Sequence, residues 1–93
     1  MDKKEDFYGK LRIKLEETTT FPVKYMFKFI IPTDNDKLEK IENMFNHIGA
    51  VITTKSSKSN KYKSLTILAT MNSVDEIIKK YEEVDTVEGV ISL

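Results

Sequence analysis

The sequence predicts a small α+β domain, two layers deep, in the order strand–helix–strand–strand–helix–strand behind an extra N-terminal helix. Three observations lead there. Ninety-three residues leave room for one domain with one core. Apolar residues alternate between a period of two and a period near 3.6, so strands and helices take turns along the chain. Turn and cap residues mark each change of period.

Asp6 to Glu17 reads as a short helix, because Tyr8, Leu11 and Leu15 recur at i, i+3 and i+7. Thr18 to Thr20 and then Phe21-Pro22 end it, since a residue before proline is pushed towards extended geometry. Residues 1–20 are thus an N-terminal helical extension, and 21–93 are a single domain. The extension would either fold back on that domain or serve as a partner-binding or dimerising element, with Phe7 adding to its apolar face.

Val23 to Ile31 is the clearest strand: Val23, Tyr25, Phe27, Phe29 and Ile31 share one face, and Lys24, Met26, Lys28 and Ile30 the other. Thr33 to Asp36 supplies the short oxygens that cap a helix start. The helix itself runs from about Lys37 to His47, its stripe Leu38, Ile41, Phe45 and Ile48 ending at Gly49. Ala50 to Lys55 and Tyr62 to Met71 read as a hairpin around a polar turn at Ser56 to Lys61. Ser73 to Glu76 has the form of a capping box, followed by the stripe Val74, Ile77, Ile78 and Tyr81. Val87 to Leu93 closes the chain as a fourth strand.

Right-handed crossovers and helices gathered on one apolar sheet face make the βαββαβ order a ferredoxin-like sandwich, with an antiparallel sheet of strand order 4-1-3-2. The face bearing Tyr25, Phe27 and Phe29 should meet the helices. Three loops then share one end: Thr33 to Asp36, the hairpin from Lys55 to Lys63, and a connection from Glu82 to Glu88. The hairpin carries Lys55, Lys58, Lys61 and Lys63 without an acid, and the last connection Glu82, Glu83, Asp85 and Glu88 without a base. A basic lobe and an acidic lobe are expected, about 12 Å apart at the usual strand spacing.

Composition narrows the function. Lysine and arginine number 15 and aspartate and glutamate 15, so no whole-molecule field draws in nucleic acid or a membrane. The absence of cysteine removes disulfides, thiolate metal sites and cysteine nucleophiles. Met1 to Asp6 is charged with no apolar stretch behind it, so no signal peptide is read there, and the cytoplasm is the expected compartment. His47 is the one histidine, placed to favour the last carbonyls of a helix. No metal-ligand spacing, nucleophile elbow or glycine-rich phosphate loop occurs, so neither an enzyme nor a cofactor is expected. Asp34, Asp36, Asp75 and Glu76 stand at helix starts, where capping accounts for them.

Several of these segments together resemble the small uncharacterised bacterial proteins of the DUF493 (YbeD-like) family, from Phe21 to the C-terminus. The landmarks are Phe21-Pro22, the strand with Tyr25, Phe27 and Lys28, and the hairpin Lys55-Ser-Ser-Lys-Ser-Asn-Lys-Tyr-Lys-Ser64. The family pattern there is S-S-K-G-N-Y-x-S. This chain has Ser59 where glycine is usual, and Lys61 as an extra residue before Tyr62. The resemblance implies a ferredoxin-like fold similar to ACT-type regulatory domains, and no assigned reaction.

The hairpin is the leading candidate site. Lys55, Lys58, Lys61 and Lys63 beside Ser57, Asn60, Tyr62 and Ser64 would hold an anionic group, with Lys28 contributing from the sheet. The competing explanation is a solvated turn whose lysines guard an exposed edge; for Lys28 it is a solvent-facing charge whose stem covers Met26 and Ile30. The expectation is a non-enzymatic regulatory or adaptor domain that binds a protein partner or a small anionic effector. The alternative is a nucleic-acid-associated module using the same lysines electrostatically. It is the weaker reading, because the aromatics of the first strand belong to the buried face and only Tyr62 is left for base stacking. Two open sheet edges, or the helices, would also serve a homodimer.

Overall fold

The structure, a computed structural model, describes residues 3–93, with side chains from Glu5 onward. Three α-helices and four strands follow one another as α1 (Lys3–Thr18), β1 (Val23–Pro32), α2 (Asn35–Phe45), β2 (Val51–Ser56), β3 (Tyr62–Met71), α3 (Val74–Asp85) and β4 (Ile91–Ser92). A short 3₁₀ turn, Asn46–Ile48, extends α2. From edge to edge the antiparallel sheet runs β2-β3-β1-β4. Counted from the β4 edge this is 4-1-3-2.

Alternation along the two central strands decides which face is covered. Phe27, Phe29 and Ile31 of β1 and Leu65, Ile67, Ala69 and Met71 of β3 are buried, while the intervening residues are exposed or half-buried. Ile41 and Phe45 of α2 and Ile77, Tyr81 and Val84 of α3 close over this face. Aromatic rings knit the layers: Phe27 meets Phe45 and Tyr81 edge-on, each at 5.2 Å between centroids. Burying a side chain of this size stabilises the fold by very roughly 1.5–3 kcal/mol.

Caps fix where the helices start. Asp34 accepts hydrogen bonds from the backbone N–H of Asp36 and Lys37, so α2 begins two residues before the expected Lys37. Ser73 accepts from the N–H of Glu76, as a capping box requires. The return bond differs: the Glu76 carboxylate accepts from Asn72, one residue outside the box. Gly49 ends the 3₁₀ turn at φ 66°, in the left-handed region.

Two expectations need correction. The helix α3 continues to Asp85, so Glu82, Glu83 and Asp85 are helical and do not form an acidic loop. The last strand is two residues long, against an expected Val87 to Leu93. Thr86 and Val87 instead donate their N–H groups to the Glu83 and Val84 carbonyls, closing the end of α3. Val87 thereby drops into the core, and Gly89 at φ 84° turns the chain back towards β1. A side chain at Gly89 would press on Pro32, with its Cβ 3.0 Å from the ring Cγ.

The N-terminal helix folds back. Leu15 joins the core, Phe7 lies edge-on to Tyr81 at 5.9 Å, and Arg12 pairs with Asp75 at the start of α3 at 2.6 Å. No helix among the described residues is long and apolar enough to cross a membrane.

Candidate functional site

The register places the sequence-predicted residues. Across the sheet, Ile30 of β1 stands opposite Ser64 of β3, which stands opposite Lys55 of β2. All three share the parity of Lys28, Thr66 and Tyr62, the face left without helices. A concavity of about 510 Å³ opens there, lined by Ile30, Lys55, Ser56, Ser57, Lys58, Tyr62, Lys63 and Ser64. Six of the nine candidate residues therefore line one hollow. Lys28 and Asn60 are not among its walls, and neither is Lys61.

The hollow has an apolar floor and a basic rim. Ile30 and the half-exposed Tyr62 ring supply the first, and the lysine ammonium groups the second. Among the described residues no carboxylate lies within ion-pairing distance of Lys55, Lys58, Lys61 or Lys63. Three of the four acids expected nearest to them are engaged elsewhere or line another hollow. Glu83 pairs with Lys80 at 3.2 Å, and Glu82 and Asp85 line a separate cavity against Glu5, Tyr8 and Arg12 of α1.

The candidate residues divide by role. Ser57 organises the turn: its N–H donates to the Tyr62 carbonyl at 2.9 Å, its carbonyl accepts from Asn60 at 3.0 Å, and its hydroxyl accepts from the Tyr62 N–H at 3.2 Å. It acts as a brace of the site more than as a free donor. Asn60 holds the left-handed position at φ 59°, a conformation asparagine tolerates better than most side chains. The φ > 0 residue thus falls one place after Ser59, at the asparagine. Ser64 donates to the Lys55 carbonyl at 3.4 Å, which leaves the Lys55 ammonium and the Tyr62 hydroxyl as the free polar ends. Lys63 has the parity of Leu65 and Ile67 and is half-buried, so it reaches the wall of the hollow from the opposite parity to Lys55. The Lys61 carbonyl accepts from Thr33, tying the turn to the end of β1.

Charge is segregated by layer. The four strands and the turn between β2 and β3 hold six lysines, Lys24, Lys28, Lys55, Lys58, Lys61 and Lys63, and no acid. The rest of the chain holds the remaining nine basic residues and all 15 acids. The expected contrast between two loops is in fact a contrast between the sheet and the helical layer.

Sequence reasoning missed one buried charge, and it placed Tyr81 on the buried stripe of its helix without the partner of its hydroxyl. Lys80 is only 8% exposed; its ammonium donates to the Met44 carbonyl at 2.6 Å and to Glu83, and lies 5.4 Å from the Phe45 ring centre. Its place between Ile77 and Val84 at helical spacing was the available signal. Tyr81 is 3% exposed, and its hydroxyl is 3.0 Å from that of Tyr25. Burial, and then the Tyr25 hydrogen bond, push the Tyr81 phenol far above its usual range, so it stays neutral. His47 lies exposed in the 3₁₀ turn. Among the described residues no group of three or more histidines and carboxylates is placed to hold a metal ion.

Fold and site together define a small α+β domain that keeps one sheet face open and basic. The chain belongs to the family described as "Protein of unknown function (DUF493)", whose model matches residues 16–93. No curated protein and no solved structure matches it.

Proposed function

We propose that this is a ferredoxin-like, ACT-like regulatory or adaptor domain, without catalytic activity of its own, acting in the cytoplasm. It binds an anionic group, presented by a protein partner or a small effector, in the hollow at the hairpin end of the open sheet face. The observation that carries this reading is the hollow itself: an apolar floor ringed by lysines with no internal counter-ion. Unpaired lysines on a braced turn are poised for a carboxylate or phosphate, and Ile30 and Tyr62 give such a ligand an apolar surface to rest on. Lysine supplies point charge without the bidentate geometry of arginine, so selectivity falls to shape and to the Tyr62 hydroxyl.

The test is a titration of the ¹⁵N-labelled chain with inorganic pyrophosphate and with hexaglutamate. Saturable shifts are expected at residues 55–64 and at Ile30. Replacing Lys55 and Lys58, the exposed lysines of the hollow's wall, by glutamate should remove them while the rest of the spectrum holds. Absence of saturable hairpin shifts with both probes overturns the proposal.

A further inference from the structure

We infer that the whole open face of the sheet, beyond the hairpin hollow, docks an acidic protein segment that also carries apolar side chains. The inference rests on the anion-binding reading of the hollow and adds the class of partner to it. Two further observations support it. The first is the separation of charge by layer, which gives this face Lys24, Lys28 and Lys55 and no acid. The second is apolar. Val51, Leu68 and Met26 stand opposite one another across three strands and form one row, with Val51 62% and Met26 49% exposed. Ile91 stands opposite Ile30 in another row, beside Tyr62.

A solvated face of an antiparallel sheet ordinarily reads as polar side chains. Here one row, Val51–Leu68–Met26, is wholly apolar, and another is apolar at Ile91 and Ile30 and polar at Ser64 and Lys55. The Val51–Leu68–Met26 row is about 10 Å long at the usual strand spacing, and the Ile30 row lies about 13 Å further along β1. Lys24 and Lys28 flank Met26 on its own strand. A segment lying over the face would set apolar side chains into these rows and carboxylates over the lysines between and beside them. A free anion has no use for the Met26 row, 13 Å from the hollow. Nucleic acid is the poorer match, because the face offers one exposed ring, Tyr62, for stacking and no arginine. A second copy would present its acidic helical layer, and the test below includes that outcome.

The experiment uses the full ¹⁵N-labelled chain. One probe is a glutamate peptide with leucine at every third or fourth position; the second is the same peptide with serine for leucine; the third is a twelve-residue oligouridylate. The leucine peptide should bind at least tenfold more tightly than the serine peptide, and should shift Met26, Val51 and Leu68 as well as the hairpin. Met26→Ser with Val51→Ser, both exposed in the folded chain, should erase that tenfold difference and leave the hairpin response to pyrophosphate intact. Equal binding of the two peptides overturns the inference and leaves the anion site standing. No hairpin response to peptide or pyrophosphate overturns both. Tighter binding of oligouridylate, or self-association that the double variant abolishes, overturns it in favour of nucleic acid or a second copy.

Discussion

The two faces of β1 are made by the same ten residues and have opposite fates. Towards the helices stand Phe27, Phe29 and Ile31, each with no exposed surface. Towards solvent stand Lys24, Met26 and Lys28, and half-buried Ile30. Strand alternation alone enforces the division, since neighbours on a strand point to opposite sides. The covered face holds the molecule together, and the open face is free to vary in what it meets. Comparing matched substitutions on the two faces therefore separates residues that maintain the fold from residues that recognise something.

The largest contrast is expected within one step of the strand. Phe27→Ala removes a ring packed against Phe29, Phe45, Tyr25 and Tyr81, and should cost about 3–5 kcal/mol in urea unfolding. Met26→Ala should stay within about 0.5 kcal/mol. Similar costs at both positions would mean that the open face is covered in solution.

Two lysines give the next contrast. Lys80→Met removes the donor to Met44 and Glu83 from a nearly closed site, and should cost about 1–3 kcal/mol. Lys28→Met, on the open face, should be close to neutral by the same measurement. If both are neutral, Lys80 contributes no more than a surface charge.

The smallest expected effect concerns alkaline pH. The Tyr81 phenol is raised in the folded chain above the 10.0 of an ordinary tyrosine. Above that ordinary value the unfolded chain releases the proton first, so it binds fewer protons than the native state and stability falls as pH rises. Below it the contribution is fully present. Stability measured from pH 8 to pH 11 should therefore decline at the alkaline end, and Tyr81→Phe should flatten that decline. An unchanged slope in Tyr81→Phe would assign the loss to other groups.

Much of this layout was legible beforehand for a physical reason. β1 and β3 advertise themselves because a half-covered strand must alternate, and the boundaries of β3 followed from Tyr62 and Met71. Caps likewise follow from the local chemistry of Asp34 and Ser73. The last strand was overread because Val87, Ile91 and Leu93 share the parity of one strand face, whereas Val87 is spent on closing α3 and Gly89 breaks the run. Of the site, the gathering of Lys55, Lys58, Tyr62 and Ser64 was legible from their closeness in sequence. Its floor was not, because Ile30 arrives from a strand more than twenty residues away through the register of β1 on β3. The bracing role of Ser57 also escaped, since it depends on hydrogen bonds that only the folded turn defines.

The brevity of β4 has a consequence for how the molecule breathes. β1 is paired with β3 along its whole length, but with β4 only at Phe29 and Ile30. Over Val23 to Phe27 it is a boundary, and it is interior only around Lys28 to Ile30, where the Leu93 N–H also donates to the Lys28 carbonyl. Peeling β4 away breaks its pairing at Phe29 and Ile30 and the hydrogen bond from the Leu93 N–H to the Lys28 carbonyl, and uncovers one flank of Phe29, but it leaves the β1–β3 ladder whole, so the C-terminal segment is the strand of this sheet that opens at least cost. A chain with a rigid middle thus carries a loosely latched flank at Ile91, beside Ile30, and that latch can respond to whatever settles on the sheet.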